Sequence, residues 1–155
     1  MRLVDILSKD LINVDLKAKD KIGVLNELVD LLVKAGKVLN KEEAMRVLIA
    51  REELISTGVG NGIAIPHAKS KEVKSIVACF GRSKEGVDFN ALDGEPVYLI
   101  FLLLVPEHGR SGAHIKILAK ISRLLKNRYF RELLKKADSP SRVLELIEKE
   151  DEEYL

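Results

Sequence analysis

The most apolar stretch of the chain is VYLIFLLLV, residues 97–105. A strand with one face in water alternates apolar and polar side chains, whereas a strand covered on both faces is apolar almost throughout. Residues 97–105 are therefore predicted to form a buried strand with helices above and below it. The run is far shorter than the roughly 20 residues that a membrane-spanning helix needs, so no direct membrane insertion is expected.

Segments with helical periodicity lie on both sides of this strand. Apolar residues recur every three or four positions over residues 19–35, 40–51, 112–125 and 129–136. Asn40 is the expected N-cap of the second helix, with Glu43 placed to complete a capping box. Ser139 and Pro140 predict the start of a last helix. The apolar face of the 112–125 helix is predicted to contain Ile115, Leu118, Ile121, Leu124 and Leu125.

Further short segments complete the predicted sheet. Residues 11–17 alternate loosely and residues 75–80 are mostly apolar, so each is predicted to be a strand. Asp93-Gly94 marks a turn. No repeat and no linker divides the chain. Residues 1–155 are thus predicted to form one three-layer α/β domain, a mixed β-sheet flanked by helices on both faces.

Composition excludes several classes of protein. Of the 155 residues, 46% are hydrophobic and 32% are charged, which is enough to form a core and argues against disorder. The net charge of +2 provides no strong field to attract nucleic acid. Asp5 and Asp10 interrupt the N-terminal region, so no secretory signal is expected. A single cysteine, Cys79, fits a cytoplasmic location and a small core residue.

Common catalytic motifs do not match. Gly58, Gly60 and Gly62 have the spacing GxGxG before a strand, which is neither a dinucleotide fingerprint nor a P-loop. The sequence around Ser111, GRSGA, lacks the GxSxG of a nucleophile elbow. His67, His108 and His114 do not have the spacing of HExxH, so a zinc site is only weakly supported and no metal is expected.

His67 is the most informative histidine. It follows Ile63-Ala64-Ile65-Pro66, so it is expected where a short apolar strand leaves the sheet. Backbone amides of the preceding glycine-rich loop could approach an anion, and Arg51 could reach the loop from the end of its helix. Neutral imidazole is a nucleophile near pH 7, so this grouping suggests transfer of a phosphoryl group. A purely structural role at the strand end is the alternative.

The stretch from Ser56 to His67, STGVGNGIAIPH, resembles the enzyme IIA domains of the bacterial phosphotransferase system, in the mannitol/fructose class. Arg51-Glu52, the turn ALDGEPV at residues 91–97, FLLLVP at residues 101–106 and the segment HIKILAKISRLL that begins at His114 extend the resemblance. It covers essentially the whole chain. It implies a mixed sheet flanked by helices and a phosphocarrier activity that needs no metal and no cofactor.

The resemblance also implies roles for residues. His67 would accept a phosphoryl group from a phosphorylated HPr-like carrier, on Nε2. Arg51 would stabilise the phosphate, and His114 would be a hydrogen-bonding partner beside His67. By its motif position Thr57 is a further candidate for phosphate contact. The residues themselves, apart from the resemblance, predict phosphate contacts by the loop residues Gly58 and Gly60, through backbone amides, and by Asn61, through its side chain.

The resemblance is greatest to the nitrogen-regulatory IIA branch, and the chain is expected to stand alone, with no attached IIB or membrane IIC part. A regulatory phosphocarrier, whose phosphorylation controls the binding of a target protein, is therefore favoured. A sugar-specific IIA that passes phosphate to a IIB domain is the alternative. His108, in the loop before His114, is expected to be a solvated loop residue.

Basic side chains are frequent after His114. Six of them are Lys116, Lys120, Arg123, Lys126, Arg128 and Arg131. They are interpreted as a solvated helix face, with docking of an acidic protein as the alternative. Few aromatic residues lie among them, which argues against nucleic acid.

Overall fold

The structure, a computed structural model, describes residues 2–107 and 112–153. His108 and Ser111 lie outside the described residues. The strands are β1 (Ile12–Asn13), β2 (Gly58–Gly60), β3 (Ile63–Ala64), β4 (His67–Ser70), β5 (Val77–Val87) and β6 (Val97–Pro106). The helices are α1 (Lys21–Lys34), α2 (Lys41–Leu54), α3 (Ala113–Lys126), α4 (Arg128–Lys136) and α5 (Pro140–Glu153). Two short 3-10 turns, Leu3–Asp5 and Lys9–Leu11, precede β1.

The described strands form one mixed sheet in the order β1-β5-β6-β3-β2, and β4 also pairs with β6. β6 is antiparallel to β5 and parallel to β3 and β4. Its side chains are buried from Leu99 to Val105. The prediction of a buried strand over residues 97–105 is therefore confirmed, and so is the mixed sheet.

Helices cover both faces of this sheet, as side-chain contacts on β5 demonstrate. A Cβ atom added to Gly81 would lie 2.9 Å from the Leu28 side chain of α1. The next residue, Arg82, donates instead to the carbonyl of Lys135 in α4, at 2.9 Å. Because successive residues of a strand point to opposite faces, α1 and α4 lie on opposite sides. α2 packs against α1, while α3 and α5 pack against α4.

The buried thiol of Cys79 lies on the α1 side of β5. Its Sγ is 3.5 Å from the carbonyl oxygen of Leu28. Burial raises the pKa of the Cys79 thiol well above its ordinary value. The interpretation of Cys79 as a core residue is confirmed, because a buried protonated thiol is a small apolar group and a poor nucleophile.

Both predicted helix N-caps are confirmed. The Asn40 side chain accepts from the Glu43 amide at 3.1 Å, and the Ser139 side chain accepts from the Arg142 amide at 3.1 Å. The capping box at Asn40 is wrong. The Asn40 amide donates to Glu72 at 2.7 Å, because the segment after β4 lies against this end of α2. The Glu43 carboxylate is thereby left to pair with Arg46, at 2.6 Å.

Two element boundaries and one residue of a predicted apolar face differ from the sequence prediction. The first strand is only Ile12–Asn13, because residues 9–11 form a 3-10 turn. The 75–80 strand continues to Val87, since Arg82 is buried with backbone partners and does not end the strand. Ile115 is 59% exposed. It lies six positions before the buried Ile121, about 120° away around the helix, and Ile117 takes its place on the apolar face.

Candidate functional site

His67 is the first residue of β4. β3 and β4 pair with β6 one after the other, along the same edge of that strand. Ile63 is paired with Leu99 and His67 with Leu103, so four residues separate both pairs and the register does not slip across Pro66. The Pro66 carbonyl accepts from the Leu103 amide at 2.9 Å. The expectation that His67 stands where a strand leaves the sheet is therefore wrong. Proline lacks an N–H but keeps the chain extended, and pairing with β6 resumes directly after it.

The half-buried ring of His67 is held by its own backbone. Its Nδ1 lies 2.6 Å from the carbonyl oxygen of Ile65. A carbonyl oxygen can only accept, so this hydrogen bond assigns the proton to Nδ1 and leaves the lone pair on Nε2. The nucleophilic nitrogen of the neutral ring is thus Nε2.

The register of the sheet fixes the face from which His67 projects. Residues paired across neighbouring strands share a face, and so do residues separated by an even number along one strand. His67 pairs with Leu103, which lies on the same side of β6 as Leu99, and Leu99 pairs with Arg82. Arg82 points toward α4. His67 therefore lies on the face that α3, α4 and α5 cover.

The direction of α3 brings its first turn toward His67. β6 ends beside Ser70 at the end of β4, and α3 starts a few residues later. The other end of the helix, at Ser122 and Leu125, lines a cavity with Ile63 and Ile65. α3 thus runs antiparallel to β3 and β4. The eight residues from Ser122 back to His114 span about 12 Å of helix. The half-buried His114 therefore lies nearer to β4 than to β3.

The first turn of α3 is suited to an anion. Gly112 is its N-cap and makes no side-chain cap hydrogen bond. The amides at the start of a helix have no partner within the helix, and the aligned peptide dipoles make this end positive. Negative charge placed near His114 would therefore be stabilised by the backbone as well as by side chains.

Arg51 lies in the last turn of α2, and contacts at the two ends of that helix show where this turn is. The first residues of α2 lie beside Glu72, just after β4, through the Asn40 hydrogen bond. α2 packs along β4. It therefore runs back toward the start of β4, where His67 is, but it packs against α1, on the face opposite to the His67 side chain. Contact of Arg51 with a phosphoryl group on His67 stays a prediction. The Arg51 Nη1 atom donates to the carbonyl of Ile55 at 2.8 Å, and a guanidinium has four further N–H donors.

The glycine-rich loop is a β-hairpin in which two of the backbone amides already have side-chain partners. The Gly58 amide donates to the Ser56 hydroxyl at 3.0 Å, and the Asn61 amide donates to Asp93 at 3.1 Å. Both Gly60 and Asn61 have positive φ, 99° and 58°, as the tight turn requires. Contact of Gly58, Gly60 and Asn61 with phosphate stays a prediction. It cannot use the amides of Gly58 and Asn61 while these hydrogen bonds persist.

Thr57 is buried and its donors are directed away from solvent. Its hydroxyl donates to Glu52, and its amide lies 3.3 Å from both carboxylate oxygens of Glu52. Lys21 of α1 forms an ion pair with the same carboxylate, at 3.0 Å. A phosphate contact by Thr57 also stays a prediction, since its only hydroxyl proton is engaged.

Sequence reasoning did not assign a role to Lys21, Glu52 or Asp93. In the sequence Glu52 stands out only as the neighbour of Arg51. Acidic residues are usually exposed, so the sequence gives little sign that this one is buried until its partner is known. Asp93 is predicted only as part of a turn, because its contact with Asn61 depends on the pairing of two distant segments.

The basic segment after His114 divides into two groups. Lys120 is buried and pairs with Asp151 of α5 at 2.9 Å, and Arg131 donates to the carbonyls of Leu125 and Lys126. Both therefore stabilise helix packing. The remaining four are exposed: Lys116, Arg123, Lys126 and Arg128. Docking of an acidic protein on this exposed group stays a prediction.

The described part of the chain contains neither a cluster of metal ligands nor a membrane-spanning helix. No group of three or more His, Cys, Asp or Glu side chains is arranged to hold a metal ion in residues 2–107 and 112–153. Within these same ranges, no helix is long and apolar enough to cross a membrane.

A comparison with known protein families finds one family over almost the full length. Residues 5–150 match the family described as "Phosphoenolpyruvate-dependent sugar phosphotransferase system, EIIA 2". The chain belongs to this family. The resemblance inferred from residues 56–67 is thereby confirmed, and the protein is a phosphocarrier component of the phosphotransferase system.

Relatives of this EIIA domain include both sugar-specific and regulatory proteins. It is 40% identical to a "PTS system fructose-specific EIIA component" of Haloferax volcanii, over 89% of each chain. It is also 40% identical to a "Nitrogen regulatory protein" of Bradyrhizobium diazoefficiens, over 82% of each chain. A "PTS system fructose-specific EIIABC component" of Bacillus subtilis is 37% identical over 97% of this chain, which spans 24% of that longer protein.

Solved structures of EIIA proteins have the same fold. The nitrogen regulatory protein IIA-Ntr of Neisseria meningitidis superimposes with a TM-score of 0.86 at 36% identity, covering 92% of this chain and 97% of that one. An Escherichia coli complex of enzyme IIAMtl with phosphorylated enzyme IIBMtl matches with a TM-score of 0.77 at 26% identity, covering 92% and 96%. The predicted α/β fold is confirmed.

Proposed function

We propose that this EIIA domain accepts a phosphoryl group on Nε2 of His67 from a phosphorylated HPr-like carrier protein. The observation that carries the proposal is the 2.6 Å contact between Nδ1 and the Ile65 carbonyl. It leaves Nε2 as the nucleophile. The family assignment supplies the reaction class, transfer of phosphoryl groups.

The phosphoryl transfer needs no external acid or base. The Nε2 lone pair forms a bond to phosphorus while the bond between phosphorus and the carrier breaks, and its electron pair returns to the carrier. The proton on Nδ1 stays in place, so the phosphorylated ring carries positive charge. The Ile65 carbonyl stabilises that charge through the existing hydrogen bond. Arg51 and the first turn of α3, with His114, would stabilise the negative phosphoryl oxygens.

Two downstream roles use the same site. We favour a regulatory phosphocarrier whose phosphorylation controls binding to a target protein, since the match to IIA-Ntr extends over almost the whole of both chains. The alternative is a fructose-type IIA that phosphorylates a IIB domain, which the fructose-specific relatives support. Either role places the protein in the cytoplasm.

The first experiment is phosphorylation by phosphoenolpyruvate, enzyme I and HPr. We expect acid-labile, base-stable label on the wild-type protein and none on His67→Ala. Lys69→Ala is the matched control, because Lys69 is an exposed residue of the same strand. It should be labelled like the wild type. Label that persists in His67→Ala would reject His67 as the acceptor.

The second experiment separates the two roles. The phosphorylated domain is mixed with a purified fructose-type IIB domain, and loss of label from the IIA protein is followed. Rapid transfer to IIB would support the sugar-specific role. Retention of the label, together with a target protein that binds only one of the two forms, would support the regulatory role.

A further inference from the structure

A carboxylate is buried directly beside Arg51. The Glu52 side chain is 4% exposed and forms an ion pair with Lys21 at 3.0 Å. Its other contacts are the hydroxyl and the amide of Thr57. The charged form of Glu52 thus has donors from α1 and from the segment that leads into β2. A buried charge without such partners would be costly.

Two further hydrogen bonds connect this carboxylate to the His67 ring. Glu52 accepts from both donors of Thr57, the amide and the hydroxyl, and so restrains this residue. The Thr57 carbonyl accepts from the Ile65 amide at 3.0 Å. The carbonyl of the same Ile65 accepts from Nδ1 of His67. Glu52 is therefore connected to the imidazole by consecutive hydrogen bonds, with only Thr57 and Ile65 between them.

From this chain of contacts we infer that Glu52, charged and paired with Lys21, is a positioning residue for His67. It acts on the ring through Thr57 and Ile65 and makes no contact with the phosphoryl group. Its role is to hold the Ile65 carbonyl where it selects the tautomer with the proton on Nδ1. The inference rests on the proposed function of His67.

The charge of Glu52 is essential to this arrangement. Glutamine has nearly the same shape, but one of its two oxygens is replaced by an NH₂ donor. That donor would face the Lys21 ammonium or the Thr57 donors, so at least one of them would lose its acceptor. In either case the side chain at position 52 loses one of its two partners, so it would hold Thr57, and through it the Ile65 carbonyl under Nδ1, less firmly.

The test compares Glu52→Gln with Asp30→Asn. Asp30 is the matched control because it forms an ion pair between the same two helices, with Lys41 at 2.7 Å. Among the described residues, no hydrogen bond or ion pair joins Asp30 to the His67 site. The ¹⁵N shifts of the His67 ring are measured on the unphosphorylated protein, and the transfer rate from phosphorylated HPr is measured separately. Thermal unfolding reports whether each variant folds.

We expect Glu52→Gln to populate the tautomer with the proton on Nε2 and to slow transfer between about tenfold and a hundredfold, as for a displaced reacting group. Asp30→Asn should change neither. A folded Glu52→Gln with the wild-type ring shifts and transfer rate would overturn the inference. If Glu52→Gln does not fold, Thr57→Val decides: it loses only the hydroxyl donor, and unchanged ring shifts would overturn the inference.

The two readouts also separate this inference from the proposed function. The ring shifts are recorded without any phosphate, so they do not depend on the reaction. A wild-type protein that is never labelled would reject the proposed function, and the inference with it as a statement about catalysis. A labelled wild type with an unaffected Glu52→Gln variant would reject the positioning role alone.

Discussion

Arg82 should be one of the most sensitive positions for stability. Its side chain is buried on β5, 4% exposed. Its Nε donates to the carbonyl of Val14 at 2.8 Å, and its Nη1 donates to the carbonyls of Lys135, at 2.9 Å, and Ala137. The last two carbonyls belong to the end of α4, where a helix has unpaired acceptors and favours a cation. Arg82 thus joins the segment after β1 to the end of α4.

The expected cost of Arg82→Met follows from these three bonds. A hydrogen bond from a charged group contributes about 1.5–3 kcal/mol. Burial opposes this contribution, since desolvation of the guanidinium lowers the pKa of Arg82. We take the lowest value for each of the three bonds and allow for some relaxation of the carbonyls toward water. The free energy of unfolding should then fall by about 4 kcal/mol. Methionine fills much of the space of the arginine stem, so little cavity cost is added.

Urea unfolding followed by circular dichroism measures this loss. With a slope of about 2 kcal/mol per molar urea, the midpoint should fall by about 2 M. Arg46→Met is the control, because Arg46 is an exposed arginine that pairs with Glu43 on the surface of α2. It should stay within about 0.5 kcal/mol of the wild type. A loss below about 1 kcal/mol for Arg82→Met would refute the reasoning from buried acceptors.

Three further predictions concern the site and its surroundings. Arg51→Ala should slow phosphoryl transfer about tenfold or more without unfolding the domain, and an unchanged rate in a stopped-flow labelling assay would remove Arg51 from the site. His114→Gln should alter either the transfer rate or the lifetime of the phosphoprotein, and no effect on either would make its role structural. Hydrogen bonds from the Glu95 and Asn61 amides lower the pKa of Asp93 below its ordinary 3.8. The contribution of these hydrogen bonds to the free energy of unfolding should therefore be complete above pH 3.8. It should disappear as the pH falls through the lower pKa that Asp93 has in the folded protein. An Asn61 amide shift that changes near neutral pH would contradict this assignment.

The sequence predicts most of the fold because its strongest signals are local. The apolar run at residues 97–105 and the helical periodicities depend only on neighbouring residues, and both are reproduced by the structure. The errors occur where a distant segment intervenes. Glu72 displaces Glu43 from the cap of Asn40, and carbonyls from two other elements allow buried Arg82 to continue β5.

Less of the candidate site than of the fold can be predicted from the sequence, because its contacts also depend on distant segments. His67 stands out through its motif, and the family match supports the phosphocarrier reading. Whether a loop amide is free to bind phosphate depends on its partners, and Asp93, from a segment some thirty residues away, occupies the Asn61 amide. The burial of Glu52 likewise depends on Lys21 of another helix. Pairings of this kind are not encoded in any short pattern.

The uninterrupted register of β3, Pro66 and β4 along β6 has a consequence for signalling. Because β3 and β4 are hydrogen-bonded to β6 on both sides of Pro66, phosphorylation of His67 is not expected to displace the backbone of these strands. Modification of His67 would change the charge and contour of one surface while the interior stays still. We therefore expect a protein that distinguishes the two forms to contact the α3 side of the domain, around His67.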